Sequence, residues 1–298
     1  MKKLNYLKTD VDITNLSNFK TKAKTKFYYE INTENDLDNL KEIYQFCKTN
    51  NLDYLFIGGG TNMLFAFDLY EGVIIKNNLR GWNYDKSSQI LHTFSDEWIS
   101  DIATSLEKDY NQGLWHRFIG LPGSVGGAIY GNAGCFGLET ENNFLDASVY
   151  DLQTGQIIIL SKIDMLFNYR SSIIKDAKNR YFIIKARFDL SKKIEKYSSE
   201  VDNIDFRENK QPKGNTCGSF FKNPDKDNSA GYLIEQVGFK GYKLGGAFFS
   251  PLHANFLMHD GKGTYKDLLN LIELTIKKVK DEKQIELIPE VRIIFNQN

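Results

Sequence analysis

The sequence predicts an α+β protein made of two parts, a larger N-terminal part and a smaller C-terminal part. Short apolar segments typical of strands alternate along the chain with amphipathic segments typical of helices. Residues 191–211 lose hydrophobicity and carry many charges, as a boundary between domains does. We therefore expect one domain over residues 1–192 and a second over residues 193–298.

Composition limits the classes of function. The 38 basic and 38 acidic side chains cancel, so no basic stripe is available to neutralise nucleic-acid phosphates. No apolar run is long enough to span a bilayer, and the polar N-terminus has no signal-peptide core. Three scattered cysteines and four histidines show no zinc-ligand spacing. These features predict a cytoplasmic protein with no nucleic-acid, membrane or metal partner.

The N-terminal elements follow from short sequence patterns. Residues 51–57 and 72–76 are apolar runs typical of buried strands. Ser95 is expected to begin a helix, because acidic residues fill its first turn and an apolar stripe follows. Residues 145–151 and 156–160 flank a short polar turn, which predicts a hairpin.

The later elements are predicted in the same way. Residues 181–190 are typical of a further strand. Thr264 followed by Asp267 resembles a capping box that opens an amphipathic helix. The chain then ends in a strand over residues 285–295, which Pro289 interrupts.

Glycine placement indicates a binding site for an anion. Sixteen of the 23 glycines lie within residues 58–60, 113–137 and 231–246. Glycine lets a ligand approach the backbone, so successive N–H groups can converge on a phosphate. One such segment alone would be read as a tight turn, but the first two together favour a long, phosphate-bearing cofactor. Neither segment is a dinucleotide-fold fingerprint or a P-loop, and the third cluster is expected to form turns in the C-terminal domain.

Seven motifs, taken in order, resemble the UDP-N-acetylenolpyruvoylglucosamine reductase (UDP-N-acetylmuramate dehydrogenase) family of bacterial cell-wall synthesis. The resemblance spans roughly residues 15–295, and the ordered set is far more specific than any one of its members. The motifs are Gly58-Gly-Gly-Thr-Asn-Met-Leu64, Gly120-Leu-Pro-Gly-Ser-Val-Gly-Gly-Ala128, Asn132-Ala-Gly134, Tyr169-Arg-Ser-Ser172, Gly218-Ser-Phe-Phe-Lys-Asn-Pro224, Ser250-Pro-Leu-His-Ala-Asn-Phe256 and Glu290-Val-Arg292.

The resemblance implies a fold, two cofactors and a set of binding residues. It implies an FAD-binding domain of the vanillyl-alcohol-oxidase type over residues 1–192 and a smaller α+β substrate domain over residues 193–298. It also implies FAD, NADPH and a small-molecule sugar nucleotide as ligands, and we expect the protein to be a monomer. The cofactor-binding residues it implies are Gly58, Gly59, Gly60, Thr61, Asn62, Gly120, Pro122, Gly123, Ser124, Gly126, Gly127, Ala128 and Asn132.

Catalytic and substrate residues follow from the resemblance as well. Arg170 would neutralise the substrate carboxylate, Ser219 would donate a proton, and Glu290 would polarise or help to protonate the intermediate. From the residues alone, Arg170 could be a surface arginine, Ser219 a turn serine, and Glu290 the ion-pair partner of Arg292 on a strand face. The substrate-binding residues it implies are Tyr169, Arg207, Lys222 and Asn223.

Two other functions remain open at this point. The same flavin fold could be an oxidase that uses oxygen on a sugar or an alcohol. Alternatively, the glycine loops could belong to a nucleotide-binding module without catalysis. Fold analogy does not separate these functions from a reductase, whereas the ordered set of Arg170, Ser219 and Glu290 favours the reductase.

Overall fold

The computed structural model describes residues 4–192, 194 and 203–296. The chain forms two compact units. Unit 1 consists of Met1–Thr9, Phe27–Gly59 and Glu71–Ile204, and unit 2 of Asp10–Lys26, Gly60–Tyr70 and Asp205–Asn298.

The predicted domain boundary falls next to residues outside the described part of the chain, which include 193 and 195–202. The assignment of residues 1–192 to the cofactor and 193–298 to the substrate therefore stays a prediction. Unit 2 also takes in the early segments 10–26 and 60–70. One reason is that a strand of segment 60–70 pairs with the C-terminal strand of the chain.

The elements are numbered in chain order through the described residues. The helices are α1 Leu40–Asn50, α2 Ile99–Tyr110, α3 Val125–Gly131, α4 Thr140–Asn143, α5 Ile173–Asp176, α6 Asn203–Lys210, α7 Ala230–Gln236 and α8 Tyr265–Lys283. The strands are β1 Lys8–Asp12, β2 Lys24–Ile31, β3 Tyr54–Ile57, β4 Met63–Phe65, β5 Leu69–Asn77, β6 Trp82–Asp85, β7 Ile90–Phe94, β8 Gly134–Cys135, β9 Leu138–Glu139, β10 Phe144–Asp151, β11 Gln156–Ser161, β12 Tyr181–Asp189, β13 Lys243–Leu244, β14 Ala247–Phe249, β15 Leu257–His259 and β16 Arg292–Ile294.

Unit 1 contains a five-stranded sheet in the order β11-β10-β12-β7-β6. Its hairpin β10–β11 and its strand β12 confirm the elements predicted over residues 145–160 and 181–190. Inward-facing side chains of this sheet pack with α2 and α3 in one apolar core, in which Trp115 contacts Phe118 and Phe188 edge to face. This core fixes the loops that precede α2 and α3.

A second sheet has the order β1-β2-β5-β3, and its strands β3 and β5 run parallel. These two strands confirm the strands predicted over residues 51–57 and 72–76, except that β3 begins at Tyr54 and β5 extends over Leu69–Asn77. Side chains of α1, such as Ile43, are buried with Val73 and Ile75 in a separate core of unit 1. Strand β3 therefore ends at a fixed point, directly before Gly58.

Unit 2 is built around the sheet β13-β14-β15, which α8 contacts. The capping box is confirmed, since Asp267 N donates to Thr264 Oγ1 at 3.2 Å and Thr264 N donates to Asp267 Oδ2 at 2.8 Å. Leu268, Leu271 and Ile272 of α8 lie in the core with residues of α7. Among the described residues, no helix is both long and apolar enough to cross a membrane.

The third glycine cluster forms turns, as expected, at three of its positions. Gly238, Gly241 and Gly245 have φ values of +81°, +73° and +58°, which L-residues with a side chain rarely adopt. Gly231 differs, because it lies within α7.

Two other predicted element bounds are wrong. The helix expected from Ser95 begins at Ile99, because the main chain of residues 95–97 bonds to other segments, for example through Ser95 N to Ile184 O at 3.0 Å. The strand expected over residues 285–295 is regular only at Arg292–Ile294. Pro289 has no N–H to donate to a ladder, so pairing before it is limited to isolated contacts.

A partly buried ion pair in unit 1 gives a testable pH dependence. Arg180 donates through Nε and Nη2 to the two oxygens of Asp151, at 3.0 and 2.7 Å, and this interaction lowers the pKa of Asp151. Because the folded pKa lies below the unfolded value of about 3.9, the carboxylate stabilises the fold above that pH, and the contribution is lost as pH falls through the folded pKa. We expect Asp151→Asn to lower the free energy of unfolding at pH 7 by about 1–2 kcal/mol, after discounting for the partly exposed Arg180.

Denaturant unfolding at pH 7 and at several pH values below 4 would measure this effect, with the difference from wild type shrinking as the pH is lowered. Glu34→Gln is a matched control, because Glu34 forms an exposed ion pair with Lys185. An Asp151→Asn deficit that is equal at all pH values would show that the carboxylate charge has no part in it.

Candidate active site

The first two glycine segments come together in unit 1. A Cβ placed on Gly58 would lie 2.7 Å from Ser124 Oγ, and one on Gly59 would lie 3.5 Å from Ser124 N. The loop after β3 and the loop before α3 therefore lie against each other, and a side chain at residue 58 would require the Ser124 hydroxyl to move. We call Gly58, Gly59, Gly123, Ser124 and Gly126 the glycine cradle.

The segment before α2 holds the cradle from one side. Ile99 N donates to Gly123 O at 3.1 Å, and Gly126 N donates to Ser95 O at 2.7 Å. A Cβ on Gly126 would lie 3.0 Å from Ser95 O, so a side chain at this position would push the two segments slightly apart. The main-chain bonds that prevent a helix from starting at Ser95 therefore fix the cradle.

A charged cluster borders the cradle. The Asp96 side chain is 2% exposed, with Lys76 Nζ and Arg80 Nε each 3.4 Å from its Oδ2. Burial raises the pKa of Asp96 and lowers the pKa of Lys76, since taking either charge out of water costs more than their pairing returns. A Cβ on Gly58 would lie 3.6 Å from Asp96 Oδ1, which locates the cluster beside the first loop. The two cations outnumber the one carboxylate, and together with nearby backbone N–H groups they provide donors suited to a pyrophosphate.

Arg170 is brought to the end of the second glycine segment. Its Nη2 donates to Gly134 O at 3.0 Å and its Nη1 to Asn132 O at 3.4 Å. The guanidinium also stacks over the Tyr169 ring, 4.9 Å from its centroid. The main chain of Arg170 is left-handed, with φ +55°, and its carbonyl accepts from Lys175 Nζ at 2.8 Å.

Asn132 is buried, and the observed contacts of its side chain are with protein. Its Nδ2 donates to Glu141 Oε1 at 3.1 Å and to Asn168 O at 3.2 Å, and its Oδ1 accepts from Glu141 N at 3.1 Å. This residue therefore shapes the loop that presents its own carbonyl and that of Gly134 to Arg170. Its predicted contact with FAD stays a prediction.

In unit 2, the backbone brings Ser219 close to Glu290. Glu290 N donates to Phe220 O at 2.7 Å, one residue after Ser219. Two residues further along the Ser219 segment, Lys222 N donates to Ile288 O at 2.9 Å. Two predicted catalytic residues and one predicted substrate residue therefore lie on neighbouring extended segments of one unit, with Ser219 exposed.

A buried asparagine holds the Ser219 segment from its other side. Asn255, which is 2% exposed, donates through Nδ2 to Phe221 O and accepts through Oδ1 from Phe221 N, both at 2.9 Å. Its carbonyl accepts from Phe220 N at 2.7 Å, and its own N–H donates to His253 Nδ1 at 3.2 Å. The side-chain amide thus substitutes for a strand neighbour, which gives the Ser-Pro-Leu-His-Ala-Asn-Phe motif a structural purpose.

Cys217 lies two residues before Ser219, and its thiol is not activated. Burial raises the pKa of this thiol to about 12, and Sγ donates to Met63 O at 3.4 Å. At neutral pH the thiol is protonated, because its raised pKa lies well above 7. Only a depressed pKa makes a cysteine a ready nucleophile.

The remaining predicted residues occupy varied positions. Asn223 Oδ1 accepts from Ala230 N at 3.1 Å at the start of α7, and Arg207 lies partly buried on α6. Gly120 N donates to Ser100 Oγ at 2.7 Å. Exposed positions are Asn62, Gly120, Pro122, Gly127, Tyr169 and Asn223, whereas Ala128 is buried and Thr61 is partly buried.

Sequence reasoning missed the cluster of Lys76, Arg80 and Asp96. Asp96 resembled an acidic residue in the first turn of a helix, and Lys76 the end of a strand. Only the pairing of three segments in space brings these charges together, and no spacing in the sequence signals it.

Two family models cover most of the chain. The FAD binding domain model matches residues 33–161, which contain the glycine cradle. The model described as UDP-N-acetylenolpyruvoylglucosamine reductase, C-terminal domain, matches residues 210–294, which contain Ser219 and Glu290. Together they define the class of this protein, an FAD-dependent oxidoreductase.

Similar proteins agree on one family within that class. The UDP-N-acetylenolpyruvoylglucosamine reductase of Protochlamydia amoebophila is 32% identical over 99% of this chain and 96% of its own length. That of Clostridium novyi is 34% identical over 98% of this chain and 93% of its own length. The solved reductase from Thermus caldophilus has the same fold, with a TM-score of 0.71 at 22% identity over 97% of this chain and 99% of that one. The chain belongs to the UDP-N-acetylenolpyruvoylglucosamine reductase family.

Proposed function

We propose that this protein reduces UDP-N-acetylglucosamine enolpyruvate to UDP-N-acetylmuramate with NADPH, a step in the synthesis of peptidoglycan precursors. The observation that carries the proposal is the pairing of the Ser219 and Glu290 segments within the part of the chain that matches the reductase C-terminal domain. The glycine cradle supports FAD as the cofactor.

The reaction adds a hydride to one carbon of the enolpyruvyl double bond and a proton to the other. Bound FAD supplies the hydride, which comes from NADPH, so NADPH and one proton are consumed and NADP⁺ is released. Hydride arrival next to the carbon that bears the carboxylate leaves enolate-like negative charge. The protein must stabilise this charge and deliver the proton.

The protein side chains divide this work. Arg170 provides a planar fork that remains charged and suits a carboxylate, and its present carbonyl partners Asn132 and Gly134 keep it oriented. Ser219, which is exposed, donates the proton through its hydroxyl. Glu290 polarises or helps to protonate the intermediate from the adjacent segment. Tyr169, Lys222, Asn223 and Arg207 contribute to binding the sugar nucleotide.

The cofactor roles follow the two glycine segments. Backbone N–H groups of the cradle and the Ser124 hydroxyl bind the FAD pyrophosphate, with Lys76 and Arg80 adding positive charge. The other cofactor residues implied by the resemblance complete this surface. We further propose that the enzyme acts as a cytoplasmic monomer and, through cell-wall biogenesis, in cell shape, the cell cycle and cell division.

Anaerobic flavin spectroscopy tests the function directly. The protein is expected to be yellow, to bleach with NADPH, and to recolour when the enolpyruvyl sugar nucleotide is added. Bleaching without recolouring would contradict the substrate assignment. Recolouring by oxygen together with flavin that stays attached to the denatured protein would favour an oxidase, and the absence of any flavin chemistry would favour a non-catalytic module.

A further inference from the structure

The main chain of Glu290 is held at both of its polar groups. Its N–H donates to Phe220 O at 2.7 Å. Its carbonyl accepts from Asn62 Nδ2 at 3.2 Å. The first bond ties Glu290 to the residue after Ser219, and the second ties it to the loop that follows the first three glycines.

Glu290 lies outside the regular ladder that would otherwise fix it. Strand β16 begins only at Arg292, where it pairs in parallel with β4. Pro289 precedes Glu290 and has no N–H to donate. A bond from Arg292 N to Asn62 O, at 3.1 Å, extends the main-chain pairing to the residue before β4.

The Asn62 side chain continues this pairing by one step. Its main-chain carbonyl accepts from Arg292, and its side-chain amide then bonds to the carbonyl two residues earlier. A side-chain amide can in this way replace the next main-chain N–H of a ladder. Asn62 is itself exposed, so its side chain is not part of an apolar core and its observed contact is the bond to Glu290 O.

We propose that Asn62 is a positioning residue for Glu290, beyond the FAD contact that its motif implies. The inference rests on the proposed catalytic role of Glu290. Through this one residue, the loop that leaves the glycine cradle also sets the direction of a carboxylate needed for protonation. Through Glu290, Asn62 therefore acts on substrate reduction in addition to its contact with FAD.

The test is Asn62→Ala in the FAD-loaded enzyme, with the two half-reactions followed separately and anaerobically. We expect the recolouring step to slow by about 10- to 100-fold, as a small misplacement of a catalytic group does, and by at least about fivefold more than bleaching by NADPH, which reports any effect through the FAD contact. Both half-reactions are measured with FAD saturating, and flavin fluorescence gives the FAD dissociation constant of the variant, so that a weakened FAD contact is not mistaken for slow recolouring.

Asn296→Ala is the matched control. Asn296 Nδ2 donates to Leu69 O at 2.7 Å, so this change also removes an amide-to-carbonyl bond between segment 60–70 and the C-terminal segment, but away from Glu290. We expect both half-reactions of this variant to match wild type. Equal slowing in Asn296→Ala would overturn the positioning role and indicate a general loss of unit 2 structure.

A double-mutant cycle with Glu290→Gln shows whether Asn62 acts through Glu290. If it does, Asn62→Ala causes no further slowing once the carboxylate is gone. Full additivity, an unchanged recolouring rate, or equal slowing of bleaching and recolouring in Asn62→Ala would each overturn the proposal. Failure of the proposed function is recognised separately, because the wild-type enzyme would then not recolour at all, and Asn62 would have no proton transfer to support.

Discussion

Ser219→Ala is expected to slow reduction of the enolpyruvyl substrate by about 10²- to 10⁴-fold, the usual contribution of a positioned general acid. The alanine removes the only proton that this exposed side chain can donate. The main chain around residue 219 is fixed independently, by Asn255 on one side and Glu290 on the other. The change should therefore alter chemistry and leave the fold intact.

The measurement is anaerobic stopped-flow absorbance of the flavin. Bleaching of Ser219→Ala by NADPH should match wild type, and only recolouring by the sugar nucleotide should slow. Ser229→Ala is a suitable control, since Ser229 Oγ caps α7 by accepting from Tyr232 N at 3.3 Å. Loss of that cap lowers stability by about 1 kcal/mol and should not affect either step. A Ser219→Ala enzyme that recolours at the wild-type rate would exclude Ser219 as the proton donor.

Much of the fold could be predicted because it depends on local patterns. The hairpin β10–β11 follows from alternation around a polar turn, and α8 from its capping box and apolar stripe. The membership of unit 2 could not be predicted in this way. Segments 10–26 and 60–70 join residues 205–298 through contacts such as the parallel pair β4–β16, which links positions about 230 residues apart. Periodicity within a window carries no information about such a partner.

The site shows the same division between local and non-local information. Glycine spacing indicated two loops that suit an anion, and the structure places Gly58 and Gly59 against Ser124. The helix start was misplaced at Ser95 because acidic residues after a serine have the same local signature whether a helix or a loop follows. In this chain, main-chain bonds to distant segments override that signature, and they also bury Asp96 beside Lys76.

The largest effect on stability is expected from Gly60→Ala. Gly60 has φ +66°, and a Cβ built on it would lie 2.0 Å from Leu16 O and 2.8 Å from Leu16 C. Both obstructing atoms belong to the main chain, so no rotamer change can relieve the overlap. A hydrogen bond from Asn18 N to Gly60 O, at 3.1 Å, keeps these two backbone segments close together. We expect the free energy of unfolding of the FAD-free protein to fall by about 3 kcal/mol or more.

Gly238→Ala separates the two causes of this loss. Gly238 also lies in unit 2 and has φ +81°, but a Cβ placed on it would have no neighbouring atom within 4 Å, so alanine there adds only the backbone strain of about 1–2 kcal/mol. Denaturant unfolding of both variants without FAD measures the difference, which is the effect of the Leu16 overlap.

If Gly60→Ala is no less stable than Gly238→Ala, packing does not require the third glycine. Its presence would then be explained by approach of the cofactor, as the glycine motif alone suggests. A large difference would instead mean that the three consecutive glycines serve two purposes, with residues 58 and 59 forming the cradle and residue 60 allowing two backbones to meet.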